Sequence, residues 1–109
     1  MYKEITALTL KDWINEPDVL LVDVRETYEF DQNHIDKALH IPLGILTVDQ
    51  LPLNKMSKIV FQCRSGKRSL IACDQIIDDL EDGIELYSLE GGILAWIELG
   101  LPVIANNNR

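Results

Sequence analysis

The sequence predicts an α/β domain built on a mostly parallel sheet, and three observations carry that expectation. Short β-branched runs alternate with stretches of helical periodicity along the whole chain. Two of those runs, 19–24 and 59–62, are almost continuously apolar, the pattern of strands buried on both faces. The 109 residues, 47% of them hydrophobic, suffice for one core and are too few for two, so one domain over 1–109 is expected.

The elements follow in order. Residues 5–8 read as a short strand. Thr9, with Asp12 three residues on, has the form of a capping box, and Leu10, Trp13 and Ile14 supply an apolar stripe, so a first helix is expected to begin at Thr9. Strand 19–24 comes next, then a short helix over 26–32 with Tyr28 on one side. Residues 38–41 read as extended chain, stopped by Pro42. Residues 43–57, with Pro52 and scattered apolar side chains, suggest loop with a short helix. After strand 59–62 comes a short loop and then a helix to about residue 80, on which Leu70, Cys73, Ile77 and Leu80 recur at helical spacing. Asp82-Gly83 closes that helix, and 84–89 is a third strand. Gly91-Gly92 opens a last helix over 93–99, which Gly100 and Pro102 stop.

Composition narrows the function classes. The net charge of −8 argues against generic binding to nucleic acid or to anionic membranes. No apolar run approaches the ~20 residues of a membrane span. The first residues lack the basic head and apolar stretch of a signal peptide, so a cytoplasmic location is expected. Two cysteines, Cys63 and Cys73, are too few for a disulfide scaffold.

One segment contradicts the acidic balance. Residues 63–69 hold Arg64, Lys67 and Arg68 and no acid. Removing these three from the ten basic residues leaves 7 against 18 acidic ones in the rest of the chain. A positive island in an acidic protein points to a small anionic ligand. Cys63 also lies where a buried strand gives way to a helix, and ligands of open α/β sheets gather at the carboxyl ends of the strands. A helix N-terminus, a curl of N–H groups permitted by Gly66 and three cations all favour the thiolate. Such a thiolate needs no histidine as base. Cys63 is therefore the expected nucleophile. Arg64, Lys67 and Arg68 are expected to bind an anionic donor, with Ser65, Gly66 and Ser69 shaping the loop and supplying N–H or O–H donors. A sulfonate or sulfite group, with its several oxygens, fits such a cradle.

The same residues carry a family likeness. Leu21-Val22-Asp23-Val24-Arg25-Glu26 with Glu29-Phe30, then Asn33-His34-Ile35 through Ile41-Pro42, then Cys63-Arg64-Ser65-Gly66-Lys67-Arg68-Ser69, then Leu89-Glu90-Gly91-Gly92 through Trp96 resemble the successive signatures of single-domain rhodaneses. The order is right and the likeness spans nearly the whole chain. Asn33 stands where glycine is usual and His40 where asparagine is frequent. The resemblance implies a central parallel sheet with helices on both faces. It also implies a sulfurtransferase that moves sulfane sulfur from thiosulfate or a related donor through a Cys63 persulfide. The acceptor would be cyanide or a thiol such as thioredoxin or glutathione; no cofactor or metal is implied. Two alternatives accompany it: a persulfide carrier serving a partner enzyme, and a phosphatase or arsenate reductase of the cell-division-cycle type. The latter have a Cys-x5-Arg loop that wraps a tetrahedral oxyanion, whereas here four residues separate Cys63 from Arg68.

The remaining chemistry-bearing residues read as structural. Asp23 and Arg25 end a buried strand, with Arg25 expected to pair Glu29 four residues on. His34 is read as a satisfied structural histidine, and no spacing joins it to His40 in a zinc site. Cys73 lies on an apolar stripe and is read as core. Trp13 and Trp96 are expected in the core or at its rim. Gly91-Gly92 is too little for a dinucleotide fingerprint, and Gly66-Lys67-Arg68-Ser69 fails as a P-loop because Phe61 and Arg68 stand at required positions.

Overall fold

Five parallel strands make the frame. In the computed structural model, which describes residues 1–105, they are β1 (Tyr2–Ile5), β2 (Val19–Asp23), β4 (Leu39–His40), β5 (Lys58–Gln62) and β6 (Glu85–Leu89), in the order β1-β6-β5-β2-β4. Every pairing in this sheet is parallel. The domain expected over 1–109 thus extends by residues 106–109 beyond those described. The central strands are the ones whose apolar runs are continuous. Val22, Ile59, Val60 and Phe61 are fully buried, because side chains on both faces meet helices.

Four helices cover the sheet: α1 (Ala7–Trp13), α2 (Thr27–Gln32), α3 (Lys67–Ile76) and α4 (Gly92–Glu98). Ala72, Cys73 and Ile76 of α3 pack with Val22, Ile59, Phe61 and Leu86 on one face. Ala7 and Leu10 of α1 pack with Ile93 and Trp96 of α4 against Leu21, Val60 and Leu89 on the other. Cys73 is core, as expected, and burial pushes its thiol up to about 12. Trp96 is buried and donates its indole N–H to the Pro102 carbonyl at 2.8 Å, while Trp13 sits at the rim, edge-on to Tyr87. No helix among the described residues is long and apolar enough to cross a membrane.

The first elements differ from expectation. The strand lies at Tyr2–Ile5, ahead of residues 5–8, and the helix begins at Ala7 rather than Thr9. Thr6 is the cap: its hydroxyl accepts the Thr9 N–H at 3.2 Å. As an edge strand, β1 tolerates exposed Lys3 and Glu4, so no apolar run marks it. The long third helix ends at Ile76 and continues as a 3₁₀ turn over Ile77–Asp79. Residues 43–57 hold two 3₁₀ turns, Leu43–Ile45 and Val48–Gln50. Two more strands, β3 (Asn33–His34) and β7 (Ile104–Ala105), form a separate antiparallel pair.

Arg25 does not pair Glu29. It turns back on Asp23, whose carboxylate accepts from the Arg25 backbone N–H at 3.0 Å, from Nε at 3.0 Å and from Nη2 at 2.8 Å. Nη2 also donates to the Asn33 carbonyl at 2.6 Å, tying the end of β2 to the end of α2. Both side chains are almost wholly buried, at 0% exposure for Asp23 and 3% for Arg25. Removing one partner leaves an uncompensated buried charge. Asp23→Ala should therefore destabilise the fold by about 3–5 kcal/mol in urea unfolding, well beyond an exposed ion pair's ~1 kcal/mol.

Candidate active site

Chain order reverses between β2 and β5: from β2 the chain first adds β4 on one side, then returns to β5 on the other. Cys63 follows β5 directly at the carboxyl edge of this switch point, where open α/β sheets bind ligands. Residues 63–66 curl tightly into α3. Gly66, at its N-cap, has φ 106°, a left-handed conformation that L side chains rarely adopt. An ordinary N-cap residue offers a side-chain oxygen to the N–H two or three residues on. Gly66 has none, and the Cys63 sulfur takes that place. Sγ accepts from the N–H of Ser69, third residue of α3, at 3.4 Å and from the Gly66 N–H at 3.1 Å. The backbone N–H groups of Arg64, Ser65, Lys67 and Arg68 have no protein acceptor among the described residues.

The carbonyls of the loop point the other way. Cys63 O accepts from the Ile93 N–H at 2.9 Å and from Gln62 Nε2 at 2.9 Å, and Arg64 O accepts from the Leu94 N–H at 3.2 Å. The first turn of α4 thus holds the loop from behind. The approach is so close that a Cβ on Gly92, itself at φ 60°, would lie 2.3 Å from Arg64 O and 2.5 Å from Cys63 O. Both obstructions are backbone atoms, which cannot swing aside.

Hydroxyls fill the base of the cradle. Ser69 and Ser88 are wholly buried, with their oxygens 2.6 Å apart. Ser69 Oγ donates to the Gly66 carbonyl at 3.1 Å and lies 3.7 Å from Cys63 Sγ. Because that carbonyl only accepts, the Ser88 hydroxyl is left to donate to Ser69. Ser88 was not among the sequence candidates. Its one signal is a polar residue within a strand otherwise flanked by Leu86 and Leu89.

The three cations of the loop are not equivalent. Arg68 meets Glu29 fork to fork, Nη1 to Oε1 at 2.7 Å and Nη2 to Oε2 at 2.9 Å. That hydrogen bonding holds the Glu29 carboxyl down at about 2 against its burial, and it raises the Arg68 guanidinium. Arg64 and Lys67 are exposed and enter no salt bridge among the described residues. Ser65 is exposed between them. Glu29, 39 residues from Arg68, also escaped the sequence reading as part of the site. His34 is structural, as expected: Nδ1 meets the Phe30 carbonyl at 3.0 Å and the ring stacks on Phe30 at 3.9 Å. His40 also stacks on Phe30, at 4.5 Å, and neither histidine is bonded to Cys63.

Two outcomes follow. Gly92→Ala should displace the loop, costing at least ~1–3 kcal/mol in denaturation and slowing alkylation or sulfuration of Cys63 sharply. Glu29, its folded carboxyl held at about 2 against an ordinary 4.5, contributes stability above pH 4.5 that is lost as pH falls toward 2. Wild type should lose stability across that window in pH-dependent urea melts. Glu29→Gln should lack that component, starting from a lower plateau at neutral pH.

The chain matches the rhodanese-like domain family over residues 6–99. A sulfurtransferase of Allochromatium vinosum is 36% identical over 107 residues, covering 96% of this chain and 97% of that protein. An uncharacterized Synechocystis protein is 39% identical over 104 residues, and here the match spans 95% of this chain but 57% of its longer relative. The thiosulfate sulfurtransferase GlpE of Coxiella burnetii is 29% identical, with 88% of each chain covered. Among solved structures, a rhodanese-related protein from Thermoplasma volcanium superposes with a TM-score of 0.80 at 32% identity, covering 94% of this chain and 98% of that one. With the family matched over most of its length and the fold reproduced, this chain belongs to the rhodanese-like domain family.

Proposed function

We propose that the protein is a sulfurtransferase that moves sulfane sulfur from thiosulfate, or a related anionic donor, through a persulfide on Cys63. One observation carries the reading: the Gly66 and Ser69 N–H groups converge on Cys63 Sγ. Two relatives named as sulfurtransferases, one of them a thiosulfate sulfurtransferase, support it.

The chemistry has two steps. The Cys63 thiolate attacks the outer sulfur of thiosulfate, a new S–S bond forms, and the bond to the SO₃ group breaks with its electron pair leaving on sulfite. Arg64 and Lys67, exposed and in no salt bridge among the described residues, attract the donor and then sulfite. The free N–H groups of the loop receive the charged outer sulfur of the persulfide. An acceptor thiolate or cyanide then attacks that outer sulfur, and Cys63 leaves as the thiolate to the two N–H groups it began with. Ser65, Gly66 and Ser69 hold the curl, and Arg68 braces it against Glu29. A cytoplasmic setting, which keeps both thiols reduced, suits these steps.

Phosphate or arsenate processing is disfavoured by the short loop and by Arg68, whose guanidinium is turned onto Glu29. A persulfide carrier would use the first step alone. The test is intact-protein mass spectrometry after incubating the reduced protein with thiosulfate. Wild type should gain one sulfur atom that cyanide removes, Cys63→Ser should gain none, and aryl phosphate turnover should stay at background. Absence of the added sulfur on wild type would overturn the thiosulfate reading. Stoichiometric loading without multiple turnovers in the presence of acceptor would favour the carrier.

A further inference from the structure

A cavity of about 330 Å³ opens where α1 and α4 cover the sheet, a size within the range of about 300–1,000 Å³ found for small-molecule sites. None of residues 63–69 lines it, so it is separate from the cysteine loop. Its apolar wall comes from Ile14, Ile35, Trp96, Leu101 and Pro102. Ile35 and Trp96 are 1% and 3% exposed, and Ile14 and Leu101 pack against the same core cluster, so the wall is continuous with the core. The hydrogen bond from the Trp96 indole to the Pro102 carbonyl fixes two of the lining residues to each other.

The rest of the lining is polar and carries excess positive charge. Lys11 of α1 and Lys37, from the turn after β3, both line the cavity, and neither enters a salt bridge among the described residues. Lys37 Nζ donates to Asn15 Oδ1 at 2.8 Å. An ammonium only donates, so the amide turns its oxygen to Lys37 and keeps its NH₂ group for another acceptor. Asp36 is the one acid in the lining, and its Oδ1 accepts from the Lys37 backbone N–H at 3.0 Å. Two cations against one carboxylate leave one net positive charge, in a chain whose own balance is −8.

Lys37 carries a further mark. Its φ is 75°, a left-handed conformation that costs any L side chain and that glycine adopts freely. Backbone strain of this kind gathers at ligand clamps. What lysine supplies here and glycine lacks is the ammonium at this cavity.

We propose that the cavity binds a small apolar monocarboxylate. Its carboxylate meets Lys11, Lys37 and the Asn15 amide, and its hydrocarbon body lies against Trp96, Leu101 and Pro102. A single negative charge matches the single excess positive one. An inorganic oxyanion would leave the apolar wall uncovered, and a neutral hydrocarbon would leave the cations unused.

Trp96 reports occupancy, because its indole N–H and the carbonyl it donates to both belong to lining residues. The chain has two tryptophans, and Trp13→Phe assigns the two indole signals in proton–nitrogen correlation spectra. The protein is titrated with octanoate, and in parallel with octanol and octylamine. The Trp96 signal should shift saturably with octanoate, more weakly with octanol and least with octylamine. Lys11→Gln and Lys37→Gly should each weaken octanoate roughly two- to fivefold, the scale of one exposed ion pair, and leave octanol unchanged. Added salt should narrow the gap between octanoate and octanol. Lys37→Gly has a second readout. Relief of the left-handed angle should leave its melting midpoint equal to wild type or higher while octanoate affinity falls, a divergence that a merely structural lysine would not produce. The proposal is overturned if octanoate gives no saturable shift at Trp96, or if the three probes bind wild type alike. It is also overturned if Lys37→Gly melts lower than wild type yet keeps the full preference for octanoate.

Discussion

The structure depends on how the peptide groups of one loop are divided between two helices. The N–H groups of Gly66 and Ser69 turn inward to the Cys63 sulfur, and the carbonyls of Cys63 and Arg64 turn outward to the first turn of α4. Neither half could exist alone. Inward N–H groups need an acceptor, or α3 begins with an uncapped end in a buried place. Outward carbonyls need donors, which α4 has to spare because the opening N–H groups of any helix lack partners. The adjacency of β5 and β6 makes the exchange possible, since each strand feeds its helix at the same edge of the sheet. Gly92 is the point of closest contact, and Gly66 supplies the one backbone angle that a curl of this size requires.

Ion pairs brace this arrangement at unequal depth. Asp23 and Arg25 are sealed at the end of β2, where the pair and its hydrogen bond to Asn33 fix the chain that leads into α2. Glu29 and Arg68 lie nearer to solvent, with the arginine side chain 32% exposed, so solvent weakens their Coulomb attraction. Bidentate geometry compensates by holding both side chains in one place. The consequence is chemical as well as mechanical. Of three cations that the loop contributes, one is bound to a carboxylate before any substrate arrives. Its guanidinium still interacts through space with Cys63, while Arg64 and Lys67 enter no salt bridge among the described residues.

The sequence disclosed what depends on neighbours in the chain. Residues 19–24 and 59–62 read as buried strands because the runs are short, rich in β-branched residues and nearly unbroken in apolar ones. The loop was legible because its cysteine, glycine and cations are contiguous. Whatever depends on distant partners was hidden. Glu29 and Arg68 stand 39 residues apart, and local spacing offered Glu29 a nearer partner in Arg25, which the buried Asp23 claims instead. Ser88 looked like an ordinary polar residue in a strand until β6 carried it to Ser69. The first strand was misplaced because an edge strand needs no apolar alternation, and β3 and β7 are two residues each, too short for any period to register.

Two thiols on one short stretch show what sets the chemistry. Cys73 lies on α3, ten residues past Cys63, and is as fully buried. Around Cys73 there is apolar packing and the carboxylate of Asp74, and its thiol is pushed up to about 12, which leaves it inert at neutral pH. Around Cys63 there are N–H groups directed at the sulfur. The two sulfurs are alike in burial and differ in the donors around them. Sulfur transfer asks more than nucleophilicity, however. In the reaction proposed here Cys63 would attack in the first half-reaction and be the leaving group in the second. Fixed backbone donors suit both roles, because they stabilise charge on Sγ before the bond forms and again after it breaks, without side-chain reorganisation. A mobile base would serve only the first. The same logic explains why the loop is built of backbone held from behind by a helix, and why no histidine is bonded to its sulfur.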